Sequence, residues 1–394
     1  VTLEVVSLGC RLNLSESESL RGLLSASENL TVINSCAVTA EAVRQTRQAI
    51  RRARKARPDA RLLVTGCAAE VEREALAAMP EVDGLVANAA KLDPRVWNMP
   101  AAPFAPHQAH TRAFVDVQNG CDHACTFCVI PQGRGPSRSR SVQQVIADVA
   151  LHLDAGAREV VLTGVDLTSW GGDLPQTNGR EPKLGSLVAA ILDAFPRLER
   201  LRLSSLDGIE IDTQLFELLA GEPRVMPHVH LSLQSGDDMI LKRMKRRHSR
   251  ADAVRLVERL RTRRPDIAVG ADLIAGFPTE DEAMHAANLS IVAELDVVHG
   301  HVFPYSPRPG TPAARMPQVS PAVVRARAAE LRAAVAEQRS RWLASLVGTP
   351  LKVLAERDGT GHAENFARVR LPDGYKVSHW LTITPRAVIE GMLA

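Results

Sequence analysis

Several things are scarce in this 394-residue chain, and each absence narrows what it can be. No run of eighteen apolar residues occurs, so no membrane-spanning helix is expected. The opening segment, Val1 to Gly9, has no basic leader and does not read as a secretory signal. Charge of one sign is nearly absent as a surplus: 48 Lys and Arg against 45 Asp and Glu leave only +3. That is too mild to name a nucleic-acid partner, so only local clusters can argue for one. No prominent general-base motif stands out. Cysteine is limited to six residues, and without a secretory leader these point to the reducing cytoplasm, where thiols bind metal rather than pair. What remains is ordinary: 45% hydrophobic and 24% charged residues, enough chain for two or three globular domains.

The most informative stretch is Gly120-Cys121-Asp122-His123-Ala124-Cys125-Thr126-Phe127-Cys128. Three cysteines at Cys-x3-Cys-x2-Cys, with no fourth nearby, leave a tetrahedral zinc site one ligand short. The same three thiolates suit three corners of a four-iron, four-sulfur cube. The fourth iron is then free to bind a small molecule, as radical chemistry on S-adenosylmethionine requires.

Residues 1–98 read as a parallel α/β domain. Strands are expected at Leu3–Leu8, Leu30–Asn34 and Arg61–Thr65, with helices from Ser15 to Ser25 and Thr39 to Arg57, capped by Ser15 and Thr39. Cys10, Cys36 and Cys67 each follow one of the strands. In a parallel sheet those ends share one edge, so the three thiols can converge on a second iron–sulfur site. Scattered core cysteines are the alternative reading. Residues 99–111, rich in proline and alanine, read as a stiff linker.

Residues 112–320 alternate six strands with helices, which implies an open, partial (β/α)6 barrel with its chemistry at the carboxyl ends of the strands. The loop of Cys121, Cys125 and Cys128 follows the first of these strands. Gly164, Asp166, Ser204, Ser205, Gln234 and Asp272 lie at or near later strand ends and are candidates to hold S-adenosylmethionine. Three basic clusters stand out: Arg44 to Arg57, with few acidic neighbours; Lys242 to Arg250; and Arg134, Arg138 and Arg140. Together they suggest a polyanionic substrate. Residues 346–394, after a helix from Pro321 to about Leu346, read as a small β-barrel. Strands are expected at Leu351–Ala355, Ala367–Leu371, Tyr375–Val377 and Trp380–Ile383, with Phe366 as core or as a base-stacking platform.

The cysteine loop with Phe127 resembles the radical S-adenosylmethionine superfamily. Its flanks, Gln118-Asn119-Gly120 and Val129-Ile130-Pro131…Arg134-Gly135, resemble the methylthiotransferases in particular. So do Ser7-Leu8-Gly9-Cys10-Arg11-Leu12-Asn13, Ile33-Asn34-Ser35-Cys36, Thr65-Gly66-Cys67 and the segment His301 to Ala313. Gly361 to Val369 resembles the RNA-binding TRAM module. The resemblance implies two 4Fe-4S clusters, one on Cys121, Cys125 and Cys128, the other an auxiliary cluster on Cys10, Cys36 and Cys67. It also implies S-adenosylmethionine as cofactor and an electron donor such as flavodoxin or ferredoxin. One S-adenosylmethionine would methylate sulfur at the auxiliary cluster; a second would give a 5′-deoxyadenosyl radical that opens a C–H bond for the methylthio group. Cys36-Ala37-Val38-Thr39-Ala40-Glu41-Ala42 and the Arg47…Arg51-Arg52 helix resemble the subgroup acting on N6-threonylcarbamoyladenosine beside the tRNA anticodon. Relatives act on isopentenyladenosine in tRNA or on a ribosomal-protein aspartate. A non-catalytic iron–sulfur RNA-binding protein is the rival from another class.

Overall fold

The computed structural model describes residues 3–99, 111–176 and 179–394; the expected linker, Met99 apart, lies largely outside them. At the N-terminal end, β1 (Leu3–Ser7), β2 (Leu30–Ser35), β3 (Arg61–Gly66) and β4 (Gly84–Leu85) form one parallel sheet in chain order. All six residues of β2 are buried, as a central parallel strand covered on both faces demands. Between the strands run α1 (Arg11–Leu23) and α2 (Ala40–Ala56), followed by the short α3 (Cys67–Val71) and α4 (Arg73–Ala77). The hydroxyl of Thr39 caps α2 by accepting the Ala42 amide, as expected. Helix α1 instead starts four residues before Ser15. The Cys10 carbonyl already accepts from the Leu14 amide, so the helix springs directly from the strand-end turn. Ser15 is freed to donate to the Phe114 carbonyl at 2.8 Å, fastening α1 to the next domain.

The central barrel contains β5 (Arg112–Asn119), β6 (Arg138–Ser139), β7 (Glu159–Gly164), β8 (Arg200–Leu203), β9 (Ser205–Leu206), β10 (His228–Gln234), β11 (Ala268–Ala275) and β12 (Val297–Pro304). Apart from the antiparallel β6, every pairing among them is parallel; the two four-stranded sheets part at Ser204, between β8 and β9. After the strands come α5 (Ile130–Arg134), α6 (Val142–Asp154), α7 (Leu184–Ala194), α8 (Thr213–Gly221), α9 (Asp238–Arg243), α10 (Arg250–Arg263), α11 (Glu282–Glu294) and α12 (Pro321–Ser345). Alternate strand residues such as Val115, Leu162, Leu201, Leu231 and Leu273 pack in the main core. The intervening positions carry charge, which burial permits only with partners. Accordingly Arg202 Nε donates to Glu159 Oε1 at 2.9 Å, and Asp272 Oδ1 lies 3.0 Å from both His230 and His301.

The C-terminal module is a six-stranded sheet made of β13 (Leu351–Ala355), β14 (Thr360–Ala363), β15 (Arg368–Arg370), β16 (Trp380–Ile383), β17 (Val388–Ile389) and β18 (Met392–Leu393). Its pairings are antiparallel except β15 with β18. Tyr375–Val377 is not a strand, contrary to expectation. It lies between two turns, and the Tyr375 hydroxyl accepts the Gly359 amide instead. Phe366, in left-handed backbone, does not offer a base-stacking face. Its ring stacks on His362 at 4.5 Å and sits 5.1 Å from His228, against the amino end of the barrel.

The N-terminal domain and the barrel are joined by a buried ion pair. Arg134, at the end of α5, reaches Glu16 of α1 at 2.9 and 3.0 Å, and Lys91 reaches the same carboxylate at 2.5 Å. All three side chains are 2% exposed. Asn13 and Asn119 accept the remaining Arg134 protons. Burial pushes the Glu16 pKa up, but Lys91 and Arg134 more than reverse this and hold it at about 2. Removing one member strands the others: Glu16→Gln should lower unfolding stability in denaturant by about 3–5 kcal/mol. Because the folded pKa lies below the ordinary 4.5, the native pair's contribution is complete above that value and is lost as the pH falls towards 2. The Glu16→Gln chain should show a flatter acid limb over that window.

Candidate active site

The cysteine loop is shaped by its surroundings. Gly120, at φ +78°, has no room for a side chain, since a Cβ would come 1.9 Å from the Pro136 carbonyl oxygen. The Cys121 amide donates to Gly135, Thr126 bonds to the Met244 and Arg243 carbonyls, and Ala313 donates back to Thr126. Phe127 packs edge-on against Phe277 with ring centres 6.4 Å apart. The segment after β12 therefore closes on the loop, and it also reaches the N-terminal domain: Ser306 accepts the Ala40 amide, and Arg308 pairs with Glu72 at 3.1 Å.

Cys10, Cys36 and Cys67 gather at one edge of the N-terminal sheet. A Cβ on Gly9 would lie 2.8 Å from Cys36 Sγ. Burial pushes the Cys36 thiol up to about 11, and Cys10 and Cys67 push it the same way. The two trios also face each other. Gly133, just past the loop, comes so close to α3 that its Cβ would sit 3.2 Å from Cys67 Cβ. Burial raises Cys128 to about 11, and both Cys125 and Cys67 add to the rise. Burial likewise takes Cys121 to about 12. Metal binding at these thiols must displace protons.

Each trio lacks a fourth thiol, and the groups beside the barrel trio are otherwise engaged. His123 Nε2 is 2.6 Å from Asp166 Oδ2 and 3.8 Å from Glu210, and Asp166 holds it protonated, up to about 10. Asp166 Oδ2 lies 3.8 Å from Cys121 Sγ, and Arg246 Nη1 lies 3.7 Å from Cys125 Sγ. Arg246 is buried and also pairs with Asp207 at 2.9 Å. A guanidinium beside thiolates suits an anionic sulfur cluster. Around the same strand ends, Ser204 Oγ, Asp207 Oδ1, Arg246 Nε and Tyr305 Oη are buried without a hydrogen-bond partner. Orphaned polar atoms of this kind fit a polar ligand such as S-adenosylmethionine.

The candidate cofactor residues separate into two levels. Gly164, Asp166, Ser204 and Gln234 stand at or just past strand ends on the cysteine-loop side, while Ser205 lies opposite His230 in register. Asp272 sits three residues below the end of β11, taken up by His230 and His301. Sequence reasoning assigned no role to His123, Glu210 and Asp207, though His123 lies inside the cysteine loop, and showed Arg246 only as one member of the Lys242 to Arg250 basic cluster.

The basic clusters need correction. On α2, Arg44, Arg47, Arg51, Arg54 and Arg57 pair with Glu41, Glu72, Glu81, Asp83 and Glu4. Most of these acids come from other elements, so the helix sequence shows few. Arg134 is buried at the domain junction, and Arg140 pairs with Asp148. Arg246, Arg247 and Arg250 are ion-paired as well. The free cationic surface is smaller than the sequence suggests.

The Radical SAM superfamily model matches residues 115–289, and that of an uncharacterized protein family, UPF0004, matches residues 2–87. A threonylcarbamoyladenosine tRNA methylthiotransferase, MtaB, of Rickettsia prowazekii (strain Madrid E) is 44% identical over 386 residues, spanning 93% of this chain and 91% of that protein. A tRNA-2-methylthio-N(6)-dimethylallyladenosine synthase of Paracoccus denitrificans (strain Pd 1222) is 34% identical over 393 residues, spanning 91% and 86%. Among solved structures, the radical S-adenosylmethionine methyltransferase TsrM from Kitasatospora setae has a TM-score of 0.54 at 17% identity, covering 77% of this chain and 70% of that one. That last likeness concerns the fold alone.

Gly120→Ala should prevent the loop from closing. After anaerobic reconstitution it should retain less iron per chain than the native protein; equal iron content would contradict the packing described for the loop.

Proposed function

The chain belongs to the radical S-adenosylmethionine tRNA methylthiotransferases, and we propose that it adds a methylthio group to N6-threonylcarbamoyladenosine beside the tRNA anticodon. The observation that carries this reading is the approach of the two cysteine trios across the Cys67–Gly133 contact, in a chain whose 44% identical relative bears that activity in its name. Cys121, Cys125 and Cys128 would hold one 4Fe-4S cluster, and Cys10, Cys36 and Cys67 the auxiliary one. When bound, the barrel cluster and S-adenosylmethionine supply a 5′-deoxyadenosyl radical able to remove hydrogen from an unactivated C–H bond.

The protein's own groups prepare the site. Arg246 supports the sulfur side of Cys125, while Asp166, fixed by His123 and by the Gln118 side chain at its amide, lines the cofactor side of Cys121. Gly164 lets the backbone come close, and Ser204 and Gln234 offer neutral polar contacts to the sugar and base of the cofactor. The Pro304–Met316 segment ties the barrel's cysteine loop to the N-terminal domain, through Thr126 on one side and Ala40 and Glu72 on the other. Above α2, a cavity of about 380 Å³ lined by Arg44, Arg47, Arg51 and Arg308 suits the RNA backbone. The pairs of Arg44, Arg47 and Arg51 there are exposed and weak enough to exchange a carboxylate for a phosphate. The electron comes from a small carrier such as flavodoxin or ferredoxin. No helix among the described residues is long and apolar enough to cross a membrane, and the six free cysteines suit a cytoplasmic place of work.

Mass analysis of tRNA nucleosides provides the test. A strain lacking this chain should lose the methylthiolated form of threonylcarbamoyladenosine and regain it with the native chain, but not with Cys36→Ala or Cys125→Ala. Loss of the methylthiolated isopentenyl nucleoside instead would overturn the substrate assignment.

A further inference from the structure

Arg11 follows Cys10 directly in the chain and opens α1. Its guanidinium reaches the polar interior of the barrel, 5.4 Å from the Phe366 ring. Arg112 and Arg202 lie against the same ring, at 5.4 and 4.8 Å. Among the described residues no hydrogen bond or ion pair reaches Arg11. The nearby carboxylates are already committed: Glu159 to Arg202 and Arg200, Asp272 to His230 and His301, Glu356 to Arg112 and His362. Of the four guanidiniums there, those of Arg112, Arg200 and Arg202 each have a carboxylate within ion-pair distance and that of Arg11 has none among the described residues. Further donors there, Arg112 Nη1 and Arg202 Nη1, are buried with no acceptor. Arg11 is half-buried, and a partly desolvated cation without a protein partner favours an incoming anion.

We propose that Arg11 is the receptor for the carboxylate on the substituent of the modified adenosine, and so selects an N6 arm ending in an anion over a neutral hydrocarbon arm. The inference rests on the substrate reading given above, since the threonylcarbamoyl arm carries a carboxylate and an isopentenyl arm does not. The planar fork of arginine matches a carboxylate with two parallel hydrogen bonds. A hydrocarbon arm would leave the guanidinium unpaired, and a site built for a polar partner rejects analogues lacking it more strongly than an apolar pocket does.

The test uses the full, reconstituted chain and anticodon stem-loop RNAs carrying threonylcarbamoyladenosine, its methyl ester, isopentenyladenosine or plain adenosine. Binding is followed by fluorescence anisotropy without S-adenosylmethionine, and KM is measured separately. The native chain should prefer the free acid over the ester by roughly tenfold to a hundredfold, the range of a charge-assisted hydrogen bond. Arg11→Gln should bind acid and ester alike while retaining iron and its affinity for plain adenosine RNA. Arg11→Lys should restore part of the preference. A native chain indifferent to esterification, which needs no variant to observe, would overturn the proposal, as would an iron-loaded Arg11→Gln chain that keeps the preference. A native chain that turns over the isopentenyl RNA and not the acid would overturn the substrate reading itself, and the role of Arg11 with it.

Discussion

The buried pair between Arg134 and Glu16 is the constraint from which the rest of the architecture follows. It joins the helix after the barrel's cysteine loop to the helix after Cys10, with Lys91 completing the charge. Such a cluster is a poor way to gain stability, because desolvation consumes most of the attraction. Its value lies in geometry, since a misplaced domain would leave charged groups buried and unpaired. Asn13, Asn34 and Asn119 extend the same network, and Asn88 donates to the Gly133 carbonyl at 2.6 Å. The contact between Gly133 and Cys67 is therefore fixed from both sides, and with it the approach of the two thiol trios.

That approach divides the labour of the chamber. The barrel trio lies at the carboxyl ends of the strands, beside buried polar atoms that have no hydrogen-bond partner in the protein. The N-terminal trio forms the opposite wall. Burial raises the thiol pKa of Cys36 and of Cys128, one in each trio, so metal binding there would release protons. Below this level, the barrel interior is charged rather than apolar, and the C-terminal module closes its amino end with Phe366. Arg200 donates to the Lys352 and His362 carbonyls, tying that module to the barrel floor.

Much of this was legible in the chain. The spacing of Cys121, Cys125 and Cys128 is local, and short loops preserve local spacing in three dimensions. The alternation of strands with helices through residues 112–320 was legible as well, because the apolar period of the strands differs from that of the helices between them. What escaped was non-local. The cations of α2 find Glu72, Glu81, Asp83 and Glu4 across turns and strands, so counting charge along the helix misjudged the surface. Strands β17 and β18 are two residues each, too short to show a period. Arg134 read as one member of a basic cluster, yet only the fold reveals that its partner lies 118 residues away. The engagement of Asp272 by two histidines was equally invisible, since each comes from a different strand.

The most direct test of the account is a crystal structure of the anaerobically loaded protein with data collected at the iron absorption edge. The account predicts two separate iron centres, one bounded by Cys10, Cys36 and Cys67 and the other by Cys121, Cys125 and Cys128, facing each other across Gly133. A single iron centre, with the N-terminal thiols free of metal, would contradict it.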